Sequence, residues 1–246
     1  MGVALITGGS RGIGAAVAPL LAGQGHDVCL SYRTEADRAA EVVAACQALG
    51  VRSRAVQADM SSEEDLLALF AAADELGPLA VAVANAGATM PYSRVDELAA
   101  ERLQRVFTVN VVSVFLTCRE AVRRMSTRHG GEGGSIVLNS SAASRIGSPG
   151  EYVDYAASKG AIDSLTLGLS KEVAREGIRV NAVRPGLIET ELHASIGQPD
   201  RIARLADSVP MGRGGAAEEV AEAIAWLCSD TASYVTGALL DVSGGR

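Results

Sequence analysis

Tyr155 and Lys159 stand four residues apart in the stretch EYVDYAASKGAID, Glu151 to Asp163, and Lys159 is one of only two lysines in a chain whose basic charge is otherwise arginine. Residues at i and i+4 of a helix project from one face. A phenol has an ordinary pKa of about 10, too high for efficient proton transfer near neutrality. A unit positive charge about 4 Å away, at an effective dielectric of about 20, is worth about 4 kcal/mol, or roughly three pKa units. The pair therefore suits a general acid, with the ammonium expected to bring the phenol toward neutral pH. A compact ammonium also serves a ribose hydroxyl better than a planar guanidinium does. Tyr152 has Ala156 four residues on and lacks such a partner. Tyr and Lys at this spacing also occur on helices that do no chemistry, so the pair needs company.

That company begins at TGGSRGIG, Thr7 to Gly14, between an apolar run and a helical pattern. Gly8, Gly12 and Gly14, with Ser10, Arg11 and Ile13 among them, make a turn whose backbone can approach a pyrophosphate at a helix N-terminus. The spacing is GxxxGxG, and a lone glycine cluster can also serve a steric turn. An NAD site carries an acid near the end of the second strand. Here that strand ends Ser31-Tyr32-Arg33, with no acid before Glu35. Tyr32 and Arg33, with Arg11, suit a 2′-phosphate bound by forked guanidinium groups, which favours NADP(H) over NAD(H). Asp59, followed by Met60 and closing a third strand, suits an adenine contact or a helix cap near Ser61.

The elements that must hold these residues follow from the hydrophobic pattern. Strands are predicted at Val3–Thr7, Asp27–Tyr32, Arg54–Ala58, Leu79–Ala84, Ser135–Ser140, Arg179–Val183 and Leu239–Val242, with helical patterns such as Glu35–Leu49 and Glu63–Leu76 between them. This alternation predicts a single α/β domain, a Rossmann-like doubly wound parallel sheet of about seven strands with helices on both faces. From Glu101 to Arg128 one long helix is expected, apolar on more than one stripe, so it needs cover nearly all round, within the domain or from another subunit. Leu187–Arg213, with Gly197, Pro199, Pro210 and Gly212, reads as a lid, and its His193 as a pocket-wall or surface residue. Arg119, Arg123, Arg124 and Arg128 form a basic stripe that suits a solvated helix face, or else an acidic carrier protein.

Composition narrows the function classes. The chain has 246 residues, a net charge of −7, 48% apolar and only 4% aromatic residues. That charge argues against nucleic acid or an anionic membrane as partner. No leader is read in MGVALITGGS and no uncharged run has the length of a membrane span. Cys29, Cys46, Cys118 and Cys228 are scattered, as are His26, His129 and His193, so no metal site is expected, and the thiols fit a reducing, cytoplasmic setting.

Taken together, these motifs resemble the classical short-chain dehydrogenase/reductase family over essentially the full length. TGGSRGIG is similar to its TGxxxGxG turn, Asn85-Ala86-Gly87 to its NAG turn, and YAASK to its YxxxK motif. Pro185-Gly186, with Ile188 and Thr190 after it, resembles the PGxxxT segment that meets the nicotinamide. Asn110 matches the Asn of the long helix, and Ser141 the serine after the fifth strand, with Ser140 a competing candidate. The greatest likeness is to 3-oxoacyl-carrier-protein reductase and glucose-dehydrogenase-like bacterial oxidoreductases. The resemblance implies hydride exchange between NADP(H) and a ketone or secondary alcohol, a 3-oxoacyl thioester being one candidate. It also implies that Tyr155 is the acid, Ser141 a partner of the reacting oxygen and Lys159 a holder of the nicotinamide ribose. Asn110 would hold a water leading to Lys159, and the protein would be a homo-oligomer, a tetramer above all, paired through its long helices. Ala84 stands where the family usually has a first Asn, and the Ser141–Tyr155 gap is one residue longer than in many relatives. A catalytically idle NADP-binding sensor is the rival reading, against which the intact Ser141, Tyr155 and Lys159 speak.

Overall fold

The computed structural model describes residues 2–191 and 197–246. Seven strands form one parallel sheet: β1 (Val3–Ile6), β2 (Asp27–Tyr32), β3 (Ser53–Gln57), β4 (Leu79–Ala84), β5 (Gly134–Asn139), β6 (Ile178–Pro185) and β9 (Leu239–Val242), in the order β3-β2-β1-β4-β5-β6-β9. These are the seven predicted strands, with ends moved by no more than two residues. Two further strands, β7 (Ile188–Glu189) and β8 (Gly215–Ala216), pair in parallel as a separate two-stranded ladder. At two residues each they carry no periodic signal, and none was expected.

Alternate residues of each strand feed opposite faces, as a pleated chain requires. Val3 and Leu5 join one apolar layer with α3 (Glu63–Asp74), α5 (Ser113–Met125) and, beyond the one-turn α6 (Ala143–Ile146), α7 (Val153–Val173), where Leu66, Phe70, Met125 and Ile162 are buried. Ala4 and Ile6 join the other with α1 (Gly12–Gly23), α2 (Ala36–Ala48) and α9 (Ala217–Cys228), through Val17, Leu21, Val220 and Ile224. Burying each such Leu, Ile, Val or Phe is worth roughly 1.5–3 kcal/mol against leaving it in water. The cover on both faces explains why the strands read as unbroken apolar runs. It also fixes the carboxyl ends of the strands along one edge, and the order reverses between β1 and β4, where α/β sheets open a crevice.

The expected long helix over Glu101 to Arg128 is present, helical without a break from Ala100 to Met125, but with a π-turn inside it. α4 (Ala100–Phe107) runs into a π-turn over Thr108–Val112, then α5, which stops at Met125. A π-turn widens the helix by one residue and is a frequent mark of a functional position. Asn110 is the residue within it whose side chain leaves the helix to bond elsewhere. Val106, Val114, Cys118 and Ala121 face inward, while Phe107, Val112 and Phe115 remain exposed.

The arginine stripe is also different from its reading. Arg119, Arg123 and Arg124 all meet the buried Glu120 carboxylate, at 2.9, 2.8 and 2.8 Å. Arg119 also pairs with Glu63 at 2.6 Å, Arg124 with Asp74 at 2.8 Å, and Arg128 lies 4.0 Å from Glu176. Burial pushes the Glu120 carboxyl up, but the arginine bonds outweigh it and the net shift is downward. The stripe is thus a clamp across helices, its charge already matched within the chain, which removes the basis for an acidic carrier docking there.

Cys29, Cys46, Cys118 and Cys228 are buried free thiols, and burial pushes Cys29, Cys118 and Cys228 to about 12. No helix among the described residues is long and apolar enough to cross a membrane, and none of their His, Cys, Asp and Glu side chains cluster to hold a metal ion.

Candidate active site

The glycine turn leaves β1 and enters α1 at the crevice. Gly8 and Gly12 have φ of +68° and +55°, a region that side chains disfavour. A Cβ on Gly14 would fall on the Gly8 carbonyl oxygen and within 2.6 Å of Asn85 Nδ2, so no side chain fits there. The turn is braced from both neighbours. Gly8 N donates to Ser31 Oγ at 2.9 Å and Gly9 N to Ser31 O at 2.8 Å. Thr7 Oγ1 accepts from Asn85 N and Ala86 N, both at 3.0 Å. Asn85 Nδ2 donates to Thr7 O at 3.0 Å and Gly8 O at 2.9 Å, while its Oδ1 accepts from Asn139 Nδ2 at 2.9 Å. Asn85 therefore spends its side chain locking β1, β4 and β5 together beneath the turn. Arg11, at the N-cap of α1, makes no side-chain cap. The first-turn N–H groups of α1 remain free for an anion, and the positive end of the helix favours one.

A cleft of about 510 Å³ runs from this turn along the sheet edge, within the usual range for ligand pockets. Every residue the sequence nominated lines it except Gly14 and Asn110. Gly14 lies behind the turn, and Asn110 is wholly buried. At one end, beyond β2, stand Tyr32, Arg33 and Thr34, with Asp59 and Met60 from the end of β3. Arg11 and Arg33 form no ion pair with the described residues. Glu35, the first acid after β2, lies 3.8 Å from Arg38, which Glu191 holds at 2.7 Å. Asp59 Oδ1 accepts from Ser61 N and Ser61 Oγ, at 2.9 and 2.7 Å, and those bonds hold its carboxyl below the usual range. The cap of α3 is Ser62, whose Oγ accepts from Asp65 N at 3.2 Å, so Asp59 is not the capping residue.

The other end gathers the chemistry. Ser140 Oγ donates to Asp163 Oδ1 at 2.6 Å and turns away into α7, whereas Ser141 faces Tyr155. That separates the two serines. Lys159, only 3% exposed, donates from Nζ to Asn139 O at 2.6 Å and stands 5.6 Å from the centre of the Tyr155 ring. Burial lowers its pKa to about 8 against the opposing pull of Asp163. Burial holds the Tyr155 phenol above its ordinary value, and the Ser141 hydrogen bond opposes this. The expected lowering of the phenol by Lys159 is not found. Desolvation is the largest effect on the phenol, and Ser141 is what opposes it.

Asn110 completes the frame. Its Oδ1 accepts from Ala88 N at 2.7 Å, and its Nδ2 donates to Ala88 O at 2.8 Å and Ser158 Oγ at 3.1 Å. Ser158 Oγ in turn donates to Tyr155 O at 2.6 Å. The side chain thus ties the loop after Gly87 to the turn of α7 that carries Tyr155, and one lone pair of Oδ1 is left over beyond the Ala88 bond.

Gly186 has no room for a side chain, since its Cβ would lie 2.7 Å from Ser243 Cα. Beyond it, Ile188 is pinned in the β7–β8 ladder, and Thr190 Cγ2 lies 3.3 Å from where a Gly12 Cβ would stand. Several residues at the wall and behind it do not stand out in the sequence. Arg201, in α8 (Arg201–Leu205), is buried against Tyr92 and Tyr152 and bonds Glu151 Oε2 at 2.7 Å. Arg102 grips the buried Asp154 at 2.7 Å beside the start of α7. Nothing in local pattern marks these residues, because their partners are 50 or more positions away. His193 lies outside the described residues.

Three comparisons bear on the chain. The family model described as enoyl-(acyl carrier protein) reductase matches residues 8–246. The uncharacterized oxidoreductase YgfF of Escherichia coli K12 is 56% identical, with 100% of both chains covered. A solved short-chain dehydrogenase/reductase from Serratia marcescens superposes with a TM-score of 0.90 at 36% identity, covering 99% of this chain and 97% of that one. Another from Burkholderia cenocepacia, solved in complex with NADP, gives 0.89 at 34% identity, with coverage of 99% and 97%. The glycine turn, the Ser141–Tyr155–Lys159 cluster and these full-length likenesses agree: the chain belongs to the short-chain dehydrogenase/reductase family and is an oxidoreductase acting on alcohol and carbonyl groups.

Proposed function

We propose that the protein is a carbonyl reductase, reversible as a secondary-alcohol dehydrogenase, that uses NADP(H) and takes a ketone, 3-oxoacyl thioesters included. One observation carries the reading: Tyr155, with Ser141 on its hydroxyl and Lys159 behind its ring, stands at the far end of a cleft that begins at the braced glycine turn. The side-chain-free cradle at Gly8, Gly12 and Gly14 fits a pyrophosphate, and Arg11 and Arg33, in no ion pair with the described residues, fit a 2′-phosphate. When bound, the nicotinamide supplies or accepts the hydride.

The chain's own groups do the rest. Tyr155 gives its proton to the carbonyl oxygen as negative charge develops there. Ser141 donates a hydrogen bond to the same oxygen. Lys159 sets a positive charge behind the phenol and reaches the ribose. Asn110 acts as a positioning residue, holding the loop at Ala88 and the turn at Ser158. The segment Leu187–Arg213 serves as lid on a single domain, and the buried free thiols suit the cytoplasm. The test follows NADPH consumption over a panel of ketones that includes a β-ketoacyl thioester. Turnover of at least one is expected; NADPH binding with no ketone reduced would overturn the reading.

Cofactor choice is open to a separate test. Replacing Tyr32→Asp with Arg33→Ala removes one guanidinium and adds a repelling carboxylate. We expect the NADP over NAD preference to fall about tenfold or more, the loss of a charge-assisted hydrogen bond. A parent that already prefers NAD in competitive binding would contradict the assignment.

Assembly follows from the apolar surface. Phe107, Val112, Phe115, Val153 and Leu167 are exposed on α4, the π-turn, α5 and α7, and Gly160 and Gly168 face open space on α7. A second copy across a two-fold axis would cover these helices and brace the turn that carries Tyr155 and Lys159. We expect a homo-tetramer in light scattering; a 25.3 kDa particle that retains activity would contradict it.

A further inference from the structure

We propose that Tyr152 is a substrate-recognition residue whose hydroxyl bonds a second oxygen of the substrate, one or two carbons from the reacting carbonyl. The inference rests on the carbonyl-reductase reading and narrows it: the preferred ketones carry a neighbouring hydroxyl or carbonyl group.

Tyr152 lines the same cleft as Tyr155 yet is 6% exposed, and its hydroxyl is buried without a hydrogen-bond partner among the described residues. Leaving such a group unpaired costs free energy, and Phe would fill the same space without that cost. An unpaired donor is what a ligand oxygen would satisfy. The two tyrosines are three residues apart at the start of α7, and their rings meet edge to face with centres 6.4 Å apart. Both side chains line the one cleft, so two oxygens of one small molecule can meet them there.

The ring is held as a fixed element of the wall. Tyr92 packs edge-on at 4.8 Å, and Arg201 lies over the Tyr152 ring at 5.0 Å and the Tyr92 ring at 5.3 Å. Arg201 is itself anchored by Glu151 Oε2 at 2.7 Å and by the Tyr92 hydroxyl, which also accepts from Arg204 at 3.1 Å. The Tyr92 hydroxyl lies close to that of Tyr152, but not in hydrogen-bonding geometry. Burial first, and Tyr92 second, hold the Tyr152 phenol above its ordinary value, so it remains a neutral donor at working pH. The turn that delivers it includes Ser148 at φ +47°, a left-handed conformation that a side chain adopts at a cost. Ser148 O accepts from Tyr152 N at 3.1 Å, which fixes where the ring begins.

The test compares 2-butanone with 3-hydroxy-2-butanone and 4-hydroxy-2-butanone, in the parent and in Tyr152→Phe, with NADPH. The readout is the ratio of kcat/KM for each hydroxy ketone over 2-butanone, which cancels general damage to the site. We expect Tyr152→Phe to lower that ratio about tenfold, the effect of one buried hydrogen bond. Its thermal midpoint should be equal to or above the parent's, because an unpaired group has been removed. An unchanged ratio would overturn the proposal. So would a variant that melts well below the parent or fails to fold, since the hydroxyl would then be structural. A parent that binds NADPH but reduces none of the ketones would instead sink the carbonyl-reductase reading beneath it.

Discussion

Tyr155→Phe should bind NADPH as the parent does and lose about 10²–10⁴-fold in kcat/KM for ketone reduction, the range that general acid catalysis supplies. The ring keeps its edge contact with Tyr152 and its place before Lys159, so only the proton and the Ser141 partner are lost. Steady-state kinetics beside a cofactor-binding titration checks this, and robust turnover by the variant would remove Tyr155 as the acid. Burial raises the phenol above its ordinary pKa, the Ser141 bond opposing, so it stays protonated well past neutrality. It is then stocked for reduction across that range, and oxidation, which needs the phenolate, should favour high pH.

Lys159→Arg should be nearly as damaging despite the retained charge. Nζ sits 2.6 Å from Asn139 O, and a Cβ on Gly87 would stand 3.7 Å from it, so a guanidinium has no place without shifting the loop. A misplacement of about 1 Å can cost about 100-fold, and that is the expected loss in kcat/KM. Burial also makes Lys159 pH-sensitive. Its pKa falls from 10.5 to about 8, so between those values the unfolded chain holds more protons and stability rises with pH. Below about pH 8 the full destabilisation of the folded state is present, about 3 kcal/mol on that shift. Denaturation of parent and Lys159→Met between pH 7 and pH 10.5 reads this directly: the parent should gain on the variant as pH rises. A constant difference would mean that the ammonium is solvated in the folded protein.

Much of this was legible in the sequence because it depends on short-range pattern. The seven strands are apolar on both faces, and the glycine turn is forced by residues that leave no room for a Cβ. Tyr155 and Lys159 are set by helical spacing alone. What could not be read depends on partners far along the chain. The arginines of α5 look like a free basic stripe until Glu63, Asp74 and Glu176 are folded against them. Arg201 meets Glu151 and Tyr92 only through the fold, so the wall around Tyr152 left no trace in spacing. The π-turn at Asn110 follows from bonds to Ala88 and Ser158, and Asn85 is drawn under the glycine turn by Thr7 and Asn139. The sign of the Tyr155 shift was missed for a physical reason: charge attraction was weighed, while desolvation of the phenol was not.

The central claim is that this cleft moves a hydride from a nicotinamide to a carbonyl carbon while Tyr155 provides the proton. It is tested most directly by a reaction with NADPH deuterated at the transferable C4 position, followed by mass analysis of the alcohol. The account predicts one deuterium on the carbinol carbon, with the hydroxyl proton drawn from solvent, and labelled alcohol formed by Tyr155→Phe at least about 100-fold more slowly. Alcohol without deuterium at that carbon, or labelled alcohol from Tyr155→Phe at the parent's rate, would contradict it.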